Sequence, residues 1–314
     1  MAKGLRYIVS GVFCLLFVGA VMFSGADVSA QESEKPKDLG NWWLRSPLSY
    51  DPMPTQFLYH FDGSYNWTRK TGNDTVDNHR AKANLFLRKE RLTSILEYTF
   101  DKRNVGKAKD YPDYNENSDI RDDVRHDVHE ALRFAFAKKL YGTVGGMWMR
   151  DELSLIQDRY TYYAGVGGTP LETDKFVVNL FCAYGHEELD YTDTYHESAD
   201  YVMNPAKYGD PVTPPKTAEE IDYEEGTRKY ELVYVSQSFD WKITDSVSFR
   251  EGFDIFQDTG DSDKYRWTLD LSFDIPLMNH VSFIPNYHEE YNNEPGLGVR
   301  PRDILIGAGI KISF

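Results

Sequence analysis

The chain has little cysteine, few basic residues for its acidic content and, after its first thirty positions, no long apolar run. Cys14 and Cys182 are its only cysteines, and Cys14 lies in an N-terminal apolar stretch. Removal of that stretch leaves no possible intramolecular disulfide, so cohesion must come from backbone pairing and packing. Lys and Arg number 35 against 50 Asp and Glu, a formal charge of −15. Such an acidic balance argues against nucleic acid as a partner. Beyond residue 30 nothing approaches the run of about eighteen apolar residues that a membrane helix requires, which excludes a helical membrane protein.

The N-terminus reads as an export address. Lys3 and Arg6 precede an apolar run over 7–23, and Val28-Ser29-Ala30 offers a small-residue cleavage site before Gln31. An uncleaved anchor is the alternative. Cys14 is not at the junction, so lipidation is not implied. Loss of Lys3, Arg6 and Asp27 with residues 1–30 takes the formal charge from −15 to −16. Residues 31–55 are polar and proline-bearing, contain Trp42 and Trp43, and read as a periplasmic lead-in.

Over 56–314 the periodicity is that of strands. The last stretch places Ile304, Ile306, Ala308, Ile310, Ile312 and Phe314 on one face. Asp303, Leu305, Gly307, Gly309, Lys311 and Ser313 lie on the other. Tyr265, Trp267, Leu269, Leu271, Phe273 and Ile275 alternate in the same way with Arg266, Thr268, Asp270, Ser272 and Asp274. Phe57, Tyr59, Phe61, Tyr65 and Trp67 alternate with polar residues, and Leu132, Phe134 and Phe136 with Arg133 and alanines; helical spacing fits none of these.

Twelve strands are expected, at 56–67, 79–88, 92–101, 128–138, 140–149, 159–167, 176–187, 229–242, 247–256, 265–275, 281–291 and 303–314. Those starting at Leu140, Phe176 and Lys229 carry apolar residues on both faces. Connections alternate between a short set (89–91, 138–140, 167–175, 244–245, 276–280) and a longer, Asp-, Asn-, Gly- and Pro-rich set (68–78, 102–127, 150–158, 188–228, 257–264, 292–302). Short periplasmic turns and long external loops give this rhythm in an up-and-down, closed, antiparallel transmembrane β-barrel, and an even strand number returns both termini to the periplasm. A secreted β-sandwich shares the alternation. Loop asymmetry, hairpin-only connectivity and aromatics near strand ends (Trp67, Tyr98, Trp148, Tyr160, Trp241) favour an all-β, 12-stranded barrel.

The stretch from Tyr59 through Trp67 and Thr71-Gly72-Asn73 to Thr75, the strand 80–88, the segment Leu92-Thr-Ser-Ile-Leu-Glu-Tyr-Thr-Phe100 and the closing strand together resemble the salt-induced outer membrane protein family. The resemblance spans 56–314 and implies an outer-membrane barrel with no catalytic residues to carry over. The acidic connections 102–127 and 188–228 are longer than that family's usual loops.

Several groups invite chemistry. His126 and His129, with Glu130, fall on opposite faces of a strand, unlike an i, i+4 helical pair. Tyr195-His196-Glu197-Ser198-Ala199-Asp200 holds the ingredients of acyl transfer in a loop, where a solvated reading competes. Asp258, Asp261 and Asp263 around Gly260 offer oxygen ligands for calcium without the EF-hand spacing; a solvated turn is the simpler reading. The lumen is more informative. Arg80, Lys82, Arg88, Glu97, Arg133, Arg250, Asp254, Arg266, Asp270, Asp274 and Lys311 all point inward, where charges must pair, stay hydrated or bind solute.

The expectation is a porin-like, non-enzymatic barrel of a Gram-negative outer membrane. It would be a narrow passive pore for small polar or ionic solutes, or a structural envelope component, with no cofactor and no metal. The alternatives are a non-conducting binding or adhesion protein acting through the acidic loops, and a rim-located lipid hydrolase. Expected partners are outer-membrane lipid, a small solute and the barrel-assembly machinery, which would recognise the closing strand ending in Phe314.

Overall fold

A computed structural model describes residues 42–70, 76–105, 121–152, 154–193, 226–244, 246–293 and 301–314, with isolated positions between 196 and 217. The leader 1–30, the lead-in as far as residue 41, the Thr71-Gly72-Asn73 loop, the centre of the 102–127 connection and most of 188–228 lie outside the described residues.

Alternation resolves into twelve strands: β1 (Phe57–Lys70), β2 (Val76–Lys89), β3 (Leu92–Val105), β4 (Arg121–Ala137), β5 (Leu140–Asp151), β6 (Ile156–Glu172), β7 (Phe176–Tyr191), β8 (Arg228–Lys242), β9 (Ser248–Asp258), β10 (Tyr265–Met278), β11 (Val281–Asn292) and β12 (Arg302–Ser313). Each pairs antiparallel with its chain neighbours, and β1 pairs with β12, closing the sheet. Closure is what hydrocarbon demands. An open edge would leave amides with no partner, whereas a cylinder satisfies each N–H and C=O from the next strand. No helix among the described residues is long and apolar enough to span a bilayer; the chain crosses with strands.

At the loop end several strands run past the expected boundaries. β4 starts at Arg121, and its Asp122, Asp123 and Arg125 pair with Asn104, Arg103 and Asp101 of β3. Backbone pairing persists there after the apolar alternation has ended.

The closing seam runs from Asp62↔Ser313 to Trp67↔Ala308. Phe314 completes it, with reciprocal N–H to C=O bonds to Phe61 at 3.0 and 2.9 Å. Ser313 donates to Asp62 at 2.5 Å, and Lys311 lies 3.4 Å from the same carboxylate. Small inward residues on β12 permit this approach: a Cβ on Gly309 would stand 2.2 Å from the Tyr65 carbonyl oxygen.

The outer surface is that of a membrane barrel. Tyr59, Val144, Val166, Tyr184, Ile306 and Ile310 are all exposed on it. Aromatics collect in two bands. Near the short turns Phe176 stacks on Trp241 and Phe239, Phe249 meets Phe273 at 5.1 Å, and His280 stacks on Phe314. Toward the loops lie Tyr65 with His79, Tyr98 and Trp148 with His126, and Trp267 with Tyr291. Aromatic rings at both borders of an apolar band match the two water interfaces of a bilayer.

Candidate lumenal site

The inward faces enclose a chamber of about 910 Å³, bounded by Trp43 and Leu44 at the terminal end and by Pro301, Arg302 and Asp303 at the loop end. Of the charges expected in the lumen, Arg80, Lys82, Glu97, Arg133, Arg250, Asp254, Arg266, Asp270, Asp274 and Lys311 line it. Arg88 also points inward but is buried and spent on the lead-in. It donates to the carbonyls of Trp42 at 2.8 Å and Arg45 at 2.9 Å, and to Thr93 Oγ1 at 2.9 Å, with its guanidinium over the Trp42 ring.

Through this anchoring residues 42–50 sit inside the terminal mouth. Trp43 stacks on His60, and a short 3-10 turn covers Pro47–Ser49. On the far wall Arg45 donates to the Thr173 carbonyl at 3.1 Å and Ser49 to Glu172 Oε2 at 2.7 Å. The segment therefore bridges β2 and the end of β6 across the opening.

The opposite mouth is crossed by side chains. Arg125 of β4 ion-pairs with Glu290 of β11, five strands away round the ring. Asp127 at 2.8 Å and Asp151 at 3.8 Å flank the same guanidinium. His288 lies between Glu290 (3.0 Å) and Asp270 (2.8 Å), and Arg103 reaches Asp303 at 2.5 Å. The Arg125-x-Asp127 alternation was the sequence signal for this group, but it fell in a stretch read as loop.

Between the mouths, one wall is filled. Tyr163, Ala183, Leu232, Tyr234 and Phe256 form a buried cluster against Phe181. Tyr234 and Phe256 stack at 4.5 Å, and the Arg266 guanidinium lies 4.0 Å over Phe256. Gly145 makes room for Tyr163, whose hydroxyl would stand 2.4 Å from a Cβ there. Each polar tip has a partner: Tyr163 OH lies 2.6 Å from His129 Nε2, and Tyr234 OH donates to Asp254 at 2.7 Å. Glu187 is fully buried and receives Arg266 through both oxygens at 3.1 and 2.6 Å. Arg159 lies 3.2 Å away, and Thr161 and Tyr230 donate to it. Here lies the reason for the two-faced apolar pattern of β5, β7 and β8: the second face packs inside the lumen.

Most remaining charges pair locally, Arg250 with Asp240 (2.8 Å), Arg80 with Asp101 (3.6 Å) and Lys311 with Asp274 (2.9 Å). Among the described residues Lys82 and Arg133 have no carboxylate within ion-pair distance. His126 faces outward beside Tyr98 while His129 faces the lumen, 3.4 Å from Glu97. Asp258 and Asp261 accept from the backbone N–H groups of Gly260 and Asp263 within their turn. Ser198 and Asp200 lie outside the described residues. Among the described residues no group of three or more His, Cys, Asp or Glu is arranged to hold a metal ion.

Fold and lumen together define a transmembrane β-barrel with a charged, partly filled interior. The chain belongs to the family described as proteins of unknown function, DUF481, which it matches over residues 64–314. No curated protein matches it. It is similar to an outer membrane channel from Pseudomonas putida F1 at 11% identity and a TM-score of 0.47, covering 83% of this chain and 96% of that one. The translocator domain of the autotransporter NalP from Neisseria meningitidis (10%, TM-score 0.41, 82% and 89%) and the NanC porin (11%, TM-score 0.38, 82% and 98%) are also similar. Similarity of this degree carries no information on solute or activity.

Proposed function

We propose that the protein is an outer-membrane channel for small polar or ionic solutes, constricted at both mouths. The observation that carries this reading is a single chamber reaching from the lead-in to the loop-end rim, lined by charged side chains of both signs. The short turns and both termini then face the periplasm, the long connections face outward, and the strand ending in Phe314 is what the assembly machinery engages. Charged rings favour entry, and mixed sign keeps binding weak enough for exit. Lys82 and Arg133, which line the chamber with no carboxylate in ion-pair distance among the described residues, supply anion affinity, and Glu251 and Asp254 moderate it. Purified protein in a planar bilayer is expected to give discrete current steps, and Lys82→Glu with Arg133→Glu to shift the current toward cations. Silence across salt concentrations and voltages would overturn the proposal.

One observation favours a second reading. The aromatic block and the Arg125–Glu290 pair narrow the lumen, which also suits a non-conducting binding protein acting through its outer loops. Deleting residues 194–225 would abolish partner binding in that case and leave conductance unaffected in the first. The salt response attached to the family resemblance is a matter for expression measurements at varied osmolarity.

A further inference from the structure

We propose that the chamber floor binds a small organic monocarboxylate, its carboxylate held by Arg133 and Thr143 and its apolar body lying on Trp43, Phe86 and Ile95. The inference deepens the channel reading, on which it rests for calling the bound molecule a passenger.

The other arginines lining the chamber each have a carboxylate: Arg80 has Asp101, Arg125 has Glu290, Arg159 and Arg266 share Glu187, Arg250 has Asp240 and Arg302 has Glu289. Arg133 has instead the ring of Tyr141, with its guanidinium carbon 4.0 Å from the centroid. Its Nε is buried and has no hydrogen-bond partner. A guanidinium laid on a ring keeps its edge free and its plane fixed, the arrangement that suits a planar carboxylate.

Thr143 supplies the second donor. It sits directly across the β4–β5 pairing from Arg133 and is only 6% exposed, and its Oγ1 also lacks a partner. Both residues line the chamber, and a hydroxyl and a guanidinium nitrogen buried in its wall without an acceptor are costly unless something accepts from both. An anion does so; a second cation cannot.

The rest of the floor is apolar. Trp43 stacks on His60, which leans on Phe86, and Ile95 and Ala131 are buried beside them; all but His60 line the chamber. One uncompensated cation matches one negative charge, and the rings match a hydrocarbon or aromatic body, so the site selects benzoate over phosphate and over acetate.

The test is isothermal titration of the full chain folded in detergent, with benzoate, acetate, benzyl alcohol and inorganic phosphate as probes. Benzoate is expected to bind saturably, with acetate and benzyl alcohol weaker by about tenfold or more, each lacking one half of the recognition. Arg133→Gln is expected to weaken benzoate by about tenfold or more, and Thr143→Val by a smaller factor. Arg150→Gln, on the outer rim, leaves binding unchanged. Heat-modifiable gel mobility reports folding of each variant, and Thr143→Val carries the test if Arg133→Gln does not fold. No saturable benzoate binding, phosphate binding tighter than benzoate, or unaltered affinity in the folded variants would overturn the site. Binding is read without ion flow. A protein that binds benzoate but conducts nothing overturns the channel alone, and one that conducts but binds nothing overturns this site alone.

Discussion

Two glutamates show how a barrel sorts the same side chain by the face it occupies. Glu187 points inward into a cage of Arg159, Arg266, Thr161 and Tyr230. Removing one partner of such a group strands the others in low dielectric, so Glu187→Ala is expected to cost about 3–5 kcal/mol, read from unfolding in denaturant. Glu187→Gln keeps the hydrogen-bonding shape and should cost less. Glu130 points the other way, between the lumen-facing His129 and Ala131, with Leu96 and Gly146 as its cross-strand neighbours. A carboxylate against acyl chains is unfavourable, more so near mid-bilayer than at the interface. Glu130→Leu is therefore expected to stabilise the barrel by about 1–2 kcal/mol in the same assay. Destabilisation would show that this carboxylate has a partner in the membrane.

At the scale of elements, the strands that read most plainly in the sequence are those whose two faces meet different media. β10 alternates throughout, and β12 at all but Leu305, because lipid lies on one side and a polar lumen on the other. β5, β7 and β8 read poorly because Tyr141, Phe181, Leu232 and Tyr234 pack against other parts of the lumen wall, and period-two contrast disappears where both faces are apolar. The lead-in was illegible for a different reason. It has no periodicity, and its contacts join Arg88 to Trp42 and Ser49 to Glu172, far apart in sequence. The adjacent tryptophans were its only signal, since exposed periplasmic chain has little use for them. Arg88, grouped with the lumen charges by its parity, could be told from them only by what it touches. From its three hydrogen bonds, Arg88→Ala should release residues 42–50 from the mouth and raise single-channel conductance, with increased protease cleavage before β1. Unchanged current and cleavage would mean that the segment is held by something else.

For the molecule as a whole, the lead-in and the Arg125–Glu290 pair are two obstructions on one path. Ions meeting them in sequence experience resistances that add, and conductance is the reciprocal of that sum. Removing either obstruction leaves the other limiting the flow, so each single variant is expected to raise the current only partly. Arg125→Ala also leaves Asp127, Asp151 and Glu290 without their shared cation. Its current should therefore shift toward cations, and the shift should weaken at high salt as the carboxylates are screened. Arg88→Ala acts at the other end and should leave the loop-end charges as they are. In the double variant the reciprocal relation makes the conductance gain larger than the two single gains added together. Bilayer recordings of the four proteins at one salt concentration provide the check. A double variant that conducts no better than one of its parents would show that a single constriction, and not two in series, governs the barrel.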